Sequence, residues 1–201
     1  MREEKWMIAA KRADFQGIAK KYGIDPVIAR LIRNRDVVDD KEIDEYLNGS
    51  IEALPSPWLF KDMERAVELL TLKIRQGKPI RIIGDYDIDG VVSTYILLRG
   101  LTRLGARVDT YIPDRIADGY GIHLPLIEKA LEDGIDTVLT CDNGIAAREE
   151  IAYAKSQGMT VIVTDHHEVP FELEGEEKKE ILPPADAVIN PKQKDSPYPN
   201  K

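Results

Sequence analysis

Three aspartates fall within five residues, Asp85, Asp87 and Asp89, inside the stretch Gly84-Asp85-Tyr86-Asp87-Ile88-Asp89-Gly90. Carboxylates this crowded repel one another unless a cation neutralises them, and hard divalent ions such as Mg²⁺ or Mn²⁺ take oxygen ligands. The chemistry this spacing offers is a metal site. The letters also fit the opening of an EF-hand calcium loop, but the twelfth position of such a loop needs a bidentate glutamate and holds Ile96 here. A plainer alternative stays open at this point. One aspartate caps a helix and the others are solvated, since aspartate is a favoured N-cap.

The flanking sequence says how such a cluster is held. An apolar run at Ile80–Ile83 precedes it and an apolar run of helical period, 91–104, follows it, which reads as strand, acidic turn, helix. The same alternation continues with strand-like runs at 108–112, 137–141, 160–164 and 187–189, and with helical runs at 124–132 and 146–157. This pattern predicts an α/β fold, a mostly parallel sheet with helices on both faces. Ligands of such sheets bind beyond the carboxyl ends of the strands. Two further strand ends carry chemistry, at Thr140-Cys141-Asp142-Asn143-Gly144 and at Thr164-Asp165-His166-His167. Any one of these aspartates or histidines alone reads as a cap or a packed side chain, but three strand ends delivering Asp or His to one edge do not. Carboxylate oxygens with imidazole nitrogens suit a two-metal centre, whose ions lie ~3.5–4 Å apart and activate water for attack on phosphorus.

Ahead of the sheet, residues 1–54 predict a helical N-terminal segment, and 55–201 a catalytic domain. Asp25 and Pro26 open a helix with Val27, Ile28, Leu31 and Ile32 on one buried face. Asp39 and Glu42 stand at capping-box distance and that helix ends by Gly49. Leu54-Pro55-Ser56-Pro57-Trp58 is a link, after which Asp62 starts a longer helix ended by Gly77. The formal charge of −8, from 36 acidic and 28 basic residues, excludes a simple basic DNA-binding module but not an enzyme whose bound cations invert the local field. No apolar run approaches the ~20 residues of a membrane span and the N-terminus has no signal-peptide core, so a cytoplasmic protein with no membrane partner is expected. The lone Cys141 is expected to be a small core residue, His123 a solvated helix-start residue, and Glu172 to Glu180 a solvated loop.

The ordered motifs GDYDIDG, IPDRIADGYGI (112–122), TCDNG, TDHH and VINPKQKDSPYP (188–199) resemble the DHH phosphoesterase superfamily. Within it they are most similar to the RecJ-type branch, single-strand-specific 5′-to-3′ DNA exonucleases of repair and recombination. The helical segment before residue 54 is similar as well, so the likeness covers nearly the whole chain. It implies a catalytic set of Asp85, Asp87, Asp89, Asp142, Asp165, His166 and His167. Metal ligation by Asp85, Asp87, Asp89, Asp142 and His166 is implied with it, Asp142 bridging two Mn²⁺ or Mg²⁺ ions. Which of the first three aspartates bind directly stays open. One histidine would bind metal while the other polarises the phosphate or acts as acid. Arg115 would clamp a substrate phosphate with its planar fork, and Tyr120 would stack on a base of the single-stranded DNA. The resemblance also implies further C-terminal domains that complete the site, so the chain is expected to be a fragment, weak or inactive by itself. Two other activities in the superfamily, cleavage of short oligonucleotides or cyclic dinucleotides and a non-catalytic replication scaffold, are disfavoured by the N-terminal segment and the intact motifs respectively. A haloacid-dehalogenase phosphatase fails on Asp89 and leaves Asp165-His166-His167 unexplained.

Overall fold

The computed structural model describes residues 12–114, 116, 119, 121–175 and 177–199. The chain divides between Leu54 and Pro55 into two compact units.

The first unit holds α1 (Phe15–Tyr22), α2 (Pro26–Asn34) and α3 (Asp40–Asn48), followed by a 3-10 turn at Ile51–Ala53. Each start has a local cause. Asp14 accepts from the backbone of Gly17 and Asp25 from that of Val27, with Pro26 at the first helical position, and Asp39 and Glu42 form a reciprocal capping box. α1 ends at Gly23, whose φ of 66° lies in the left-handed region. The expected broad buried face of α2 is corrected here: Ala29 and Ile32 are buried, but Val27, Ile28 and Leu31 are exposed. A pair of short helices packing on each other, α1 against α2, covers only a narrow stripe.

The second unit opens with a 3-10 turn at Pro57–Leu59 and α4 (Met63–Arg75). It continues as β1 (Ile80–Gly84), α5 (Ile88–Arg103), β2 (Val108–Tyr111), α6 (Leu124–Glu132), β3 (Thr137–Cys141), α7 (Arg148–Ser156) and β4 (Thr160–Thr164). β5 (Phe171–Glu174), β6 (Glu177–Glu180) and β7 (Ala187–Ile189) complete it. The main sheet has the order β2-β1-β3-β4-β7 with every pairing parallel. β1 lies between β2 and β3, so the winding reverses beside it, and the crevice beyond the ends of β1 and β3 is the switch point where such sheets bind ligands. On one face Ile83, Val138, Val161 and Val163 pack with Ile127, Ala130, Ile151 and Ala154 of α6 and α7. On the other, Ile80, Ile82, Leu139 and Ile162 pack with Ala66 of α4 and Leu101 of α5. Burial on both faces is why the strands read as unbroken apolar runs. Each fully buried Ile contributes about 1.5–3 kcal/mol, which makes the strand ends a rigid frame.

Two sequence expectations need correcting in this unit. α5 begins at Ile88, three residues before its apolar period, because Asp87 caps it. Residues 171–180 form an antiparallel hairpin, β5 with β6, turning at Gly175 with φ 69°. Glu172 pairs with Lys179 in register, and Lys178 lies 4.2 Å from the centre of the Phe171 ring. These cross-strand pairs hold an exposed strand pair where composition alone reads as loop. No helix among the described residues is long and apolar enough to cross a membrane.

Candidate metal centre

Parallel register places the functional side chains. Gly84 of β1 is level with Cys141 of β3, Cys141 with Thr164 of β4, and Thr164 with Ile189 of β7. The next residues in each strand, Asp85, Asp142, Asp165 and Asn190, therefore stand side by side at strand spacing, ~4.8 Å apart. The ladder runs on through them, with Asp142 N donating to Thr164 O and Asp165 N to Ile189 O, both at 3.0 Å.

Each loop then aims its carboxylate. Asp85 is buried, and its Oδ1 accepts from the Tyr86 N–H at 2.7 Å. Asp87 Oδ1 accepts from the N–H groups of Asp89 at 2.9 Å and Gly90 at 3.0 Å. The Gly90 N–H, followed by that of Asp89, holds the Asp87 carboxyl below the usual carboxylate range. Gly90 must be glycine, because a Cβ there would collide with the backbone of Asp85, so the helix N-terminus packs directly onto the strand end. At β3 the chain turns sharply. Asp142 adopts φ 61°, a left-handed conformation that aspartate tolerates better than most residues, and Thr140 Oγ1 pins the loop by donating to Asn143 O at 2.8 Å.

Asp142 is buried at 8% exposure, yet neither of its carboxylate oxygens has a hydrogen-bond partner. His166 Nε2 lies 2.8 Å from Oδ1, a close polar contact that becomes an ion pair when the imidazole is protonated. Burial raises the Asp142 carboxyl above its ordinary range, with His166 opposing and the Asp87 charge adding to the rise.

Asp165 is fully used. Its Oδ2 accepts from the Ile145 N–H at 2.9 Å, and its Oδ1 from the N–H groups of His166 at 2.7 Å and His167 at 3.0 Å. Oδ1 also contacts His167 Nδ1 at 2.7 Å. With backbone donors already converging on it, Asp165 is the acceptor there too, so Nδ1 donates and in the neutral ring the lone pair lies on Nε2. That is the tautomer, fixed by a carboxylate, that metal-binding histidines use. Asn190 closes the arrangement by donating from Nδ2 to the carbonyl of His167 at 3.0 Å.

Two overlapping sets of potential ligand atoms result: Asp85, Asp87 and Asp142, and Asp142, His166 and His167, each with its atoms within 4.8 Å of one another. Asp142 belongs to both. A buried carboxylate crowded by two others and faced by an imidazole rather than a fixed cation is costly unless a cation sits against it, and the oxygen-plus-imidazole donor set fits a pair of divalent ions. Of the other residues singled out from sequence, Asp89 is exposed and outside both sets, and Asp165 is outside both as their support. Arg115 and Tyr120 lie outside the described residues. The sequence reading missed Asn190, whose signal was its place one residue past a strand, like the three aspartates. It also placed His123 in solvent, whereas its Nε2 is buried without a partner. Along the His166 side runs an apolar groove of about 650 Å³ between α4 and α5, with Phe60, Met63 and Leu97 in its walls.

A doubly covered parallel sheet that gathers carboxylates and imidazoles at its switch point defines an α/β protein with a candidate divalent-metal site. The chain belongs to the DHH family: the family described as "DHH family, N-terminal domain" matches residues 79–197. It is 36% identical over 177 residues to the single-stranded-DNA-specific exonuclease RecJ of Haemophilus influenzae, covering 88% of this chain and 28% of that protein. To the RecJ of Bacillus subtilis it is 35% identical over 198 residues, covering 98% of this chain and 24% of the relative. Among solved structures, RecJ of Thermus thermophilus in complex with Mn²⁺ matches with a TM-score of 0.59 at 32% identity, over 88% of this chain and 23% of that one. The chain thus spans about a quarter of the length of the curated relatives it matches.

Proposed function

We propose that this chain carries the metal-binding lobe of a nuclease that hydrolyses phosphodiester bonds of single-stranded DNA from the 5′ end, in DNA repair and recombination in the cytoplasm. The observation that carries the reading is Asp142, buried, close to His166 and common to both ligand sets, in a chain similar to exonucleases of that specificity. Mn²⁺ or Mg²⁺ ions held there would supply an activated water and neutralise charge developing on the phosphoryl oxygens. Asp85 and Asp87 would hold one, His166 and His167 the other, with Asp142 within reach of both sets. Asp165 orients His167 and fixes the turn, a positioning role, while Asp89 stands at the rim. His166, its side chain 59% exposed, directs Nε2 to within 2.8 Å of Asp142 Oδ1 and so faces the position the two share. Arg115 is the proposed phosphate clamp and Tyr120 the proposed stacking platform. Residues 55–201 form the metal-binding part and residues 1–54 a helical attachment. The net charge of −8 leaves the basic groove for the strand to further domains of the kind its longer relatives have room for.

The test is a single-turnover assay with the chain in excess over 5′-labelled single strands. Slow Mn²⁺-dependent release of 5′ mononucleotides, absent from Asp142→Asn, is expected. Equal rates for parent and variant, a preference for duplex, or products released from the 3′ end would refute the reading.

A further inference from the structure

A second cavity, of about 480 Å³, borders the metal centre and shares His167 and Asp165 with it. Asn143 lines it at 2% exposure, and neither its Oδ1 nor its Nδ2 has a hydrogen-bond partner. His123, on the opposite sequence segment, lines the same cavity with a buried and equally unpartnered Nε2. Buried amides are nearly always satisfied, and a single amide left with both donor and acceptor open marks a place where something else supplies the complement. The amide is also held in place. Its own carbonyl accepts from Thr140 Oγ1 at 2.8 Å, and the next residue is Gly144, at φ 102°, where a Cβ would crowd that same threonine.

The walls decide what the complement is. Among the described lining residues there is no Lys or Arg, while Glu150, Asp165 and Glu168 all border the space, so a phosphate would meet acidic neighbours and no cation. Ile122, Ile145 and Ala147 give it buried apolar sides. A flat, uncharged ring with a donor and an acceptor on adjacent edge atoms fits both facts. Carboxamides read such edges bidentately, as asparagine does with adenine. We propose that this cavity is a nucleobase subsite in which the Asn143 amide pairs with the base edge and His123 Nε2 takes a further polar atom, for a nucleotide whose phosphate lies at the metal centre. The proposal rests on the nuclease reading and names the substrate contact that lies beside its metal ligands. A base fixed there sets how far the strand end advances into the site.

The experiment is titration of the chain by calorimetry and NMR with the four deoxynucleoside 5′-monophosphates and with 2-deoxyribose 5-phosphate, each with and without Mn²⁺. At least one nucleotide is expected to bind about tenfold or more tightly than the abasic sugar phosphate, with the preference falling to within about twofold in Asn143→Ala at unchanged Mn²⁺ affinity. His123→Phe serves as the second variant and is expected to reduce the same preference, so the question is decided even if Asn143→Ala does not fold. Equal binding of nucleotides and abasic sugar phosphate by the parent overturns the subsite, as does a preference that survives the folded variants. A melting loss in Asn143→Ala with the preference intact would likewise overturn it and leave a buried water as the partner of the amide. If the parent binds no Mn²⁺ the nuclease reading fails, while the metal-free titrations still decide the subsite.

Discussion

Asp165→Asn preserves the shape of the side chain and removes one acceptor, which isolates the orienting role assigned to it. Oδ1 receives three hydrogen bonds, from the His166 and His167 N–H groups and His167 Nδ1, and Oδ2 receives one from Ile145. In asparagine one of these oxygens becomes an NH₂ that only donates. The least costly orientation points that NH₂ at the Ile145 N–H, donor against donor, and leaves a neutral acceptor in place of a charged one for the other three. An unsatisfied buried N–H costs about 1–3 kcal/mol, and the weaker acceptor adds roughly another 1. At ~2–4 °C per kcal/mol for a domain of this size, the melting temperature should fall by roughly 5–15 °C. Because the His167 ring then has only a neutral, weaker acceptor at Nδ1 to orient it, Mn²⁺ affinity should fall by about 10–100-fold. Differential scanning fluorimetry and calorimetry with Mn²⁺ read the two effects on one sample. Unchanged melting with unchanged Mn²⁺ affinity would refute the account of Asp165. A loss of affinity as large as that of Asp142→Asn would instead make Asp165 a ligand.

Other expectations follow from the same geometry. Gly90→Ala pushes a methyl into the Asp85 backbone and should cost about 1–3 kcal/mol, with weaker Mn²⁺ binding because Asp85 moves; a variant that melts and binds like the parent would count against that close approach. Burial alone would raise the carboxyl of Asp136, but Lys73 and Thr137 outweigh it and hold it below its ordinary value. A folded pKa lowered in this way adds stability above the unfolded value and loses it as pH falls through the folded one. The melting difference between parent and Asp136→Asn should therefore be full near neutral pH and shrink below about pH 4, and a difference independent of pH would contradict this. Burial pushes the Cys141 thiol up, and the side chain is 2% exposed, so iodoacetamide should modify it only after unfolding; rapid labelling of the folded chain would show that the strand end is open.

Much of the frame was legible in the sequence because its strands are buried on both faces. Thr137–Cys141 and Thr160–Thr164 read as short apolar runs with the structure's own boundaries, and the polar residues following them fall where a parallel sheet delivers ligands. Apolar period alone could not find the start of α5, since its first turn, Ile88 to Gly90, is set by the Asp87 cap. The hairpin at 171–180 was hidden by its composition: its stabilising contacts lie between strands, and exposed strands show no buried alternation. Within the site, the residue types were readable but the division of labour was not. That Asp165 spends its oxygens on backbone N–H groups while Asp142 accepts from none depends on a left-handed turn at Asp142 that no spacing reveals. Beside the same turn the Asn143 amide is buried, a residue the sequence reading gave no role. His123 was placed in solvent because a helix start is usually exposed, whereas this one faces the cavity beside Asn143.

The central claim is that Asp142 joins two cation positions, and crystals of the chain soaked in Mn²⁺ test it most directly through anomalous scattering at the manganese edge. Two peaks ~3.5–4 Å apart are expected, one against Asp85 and Asp87, the other against His166 and His167, with an Asp142 oxygen touching each. Peaks that leave Asp142 without a manganese contact, or manganese bound only outside the carboxyl edge of the sheet, would contradict it.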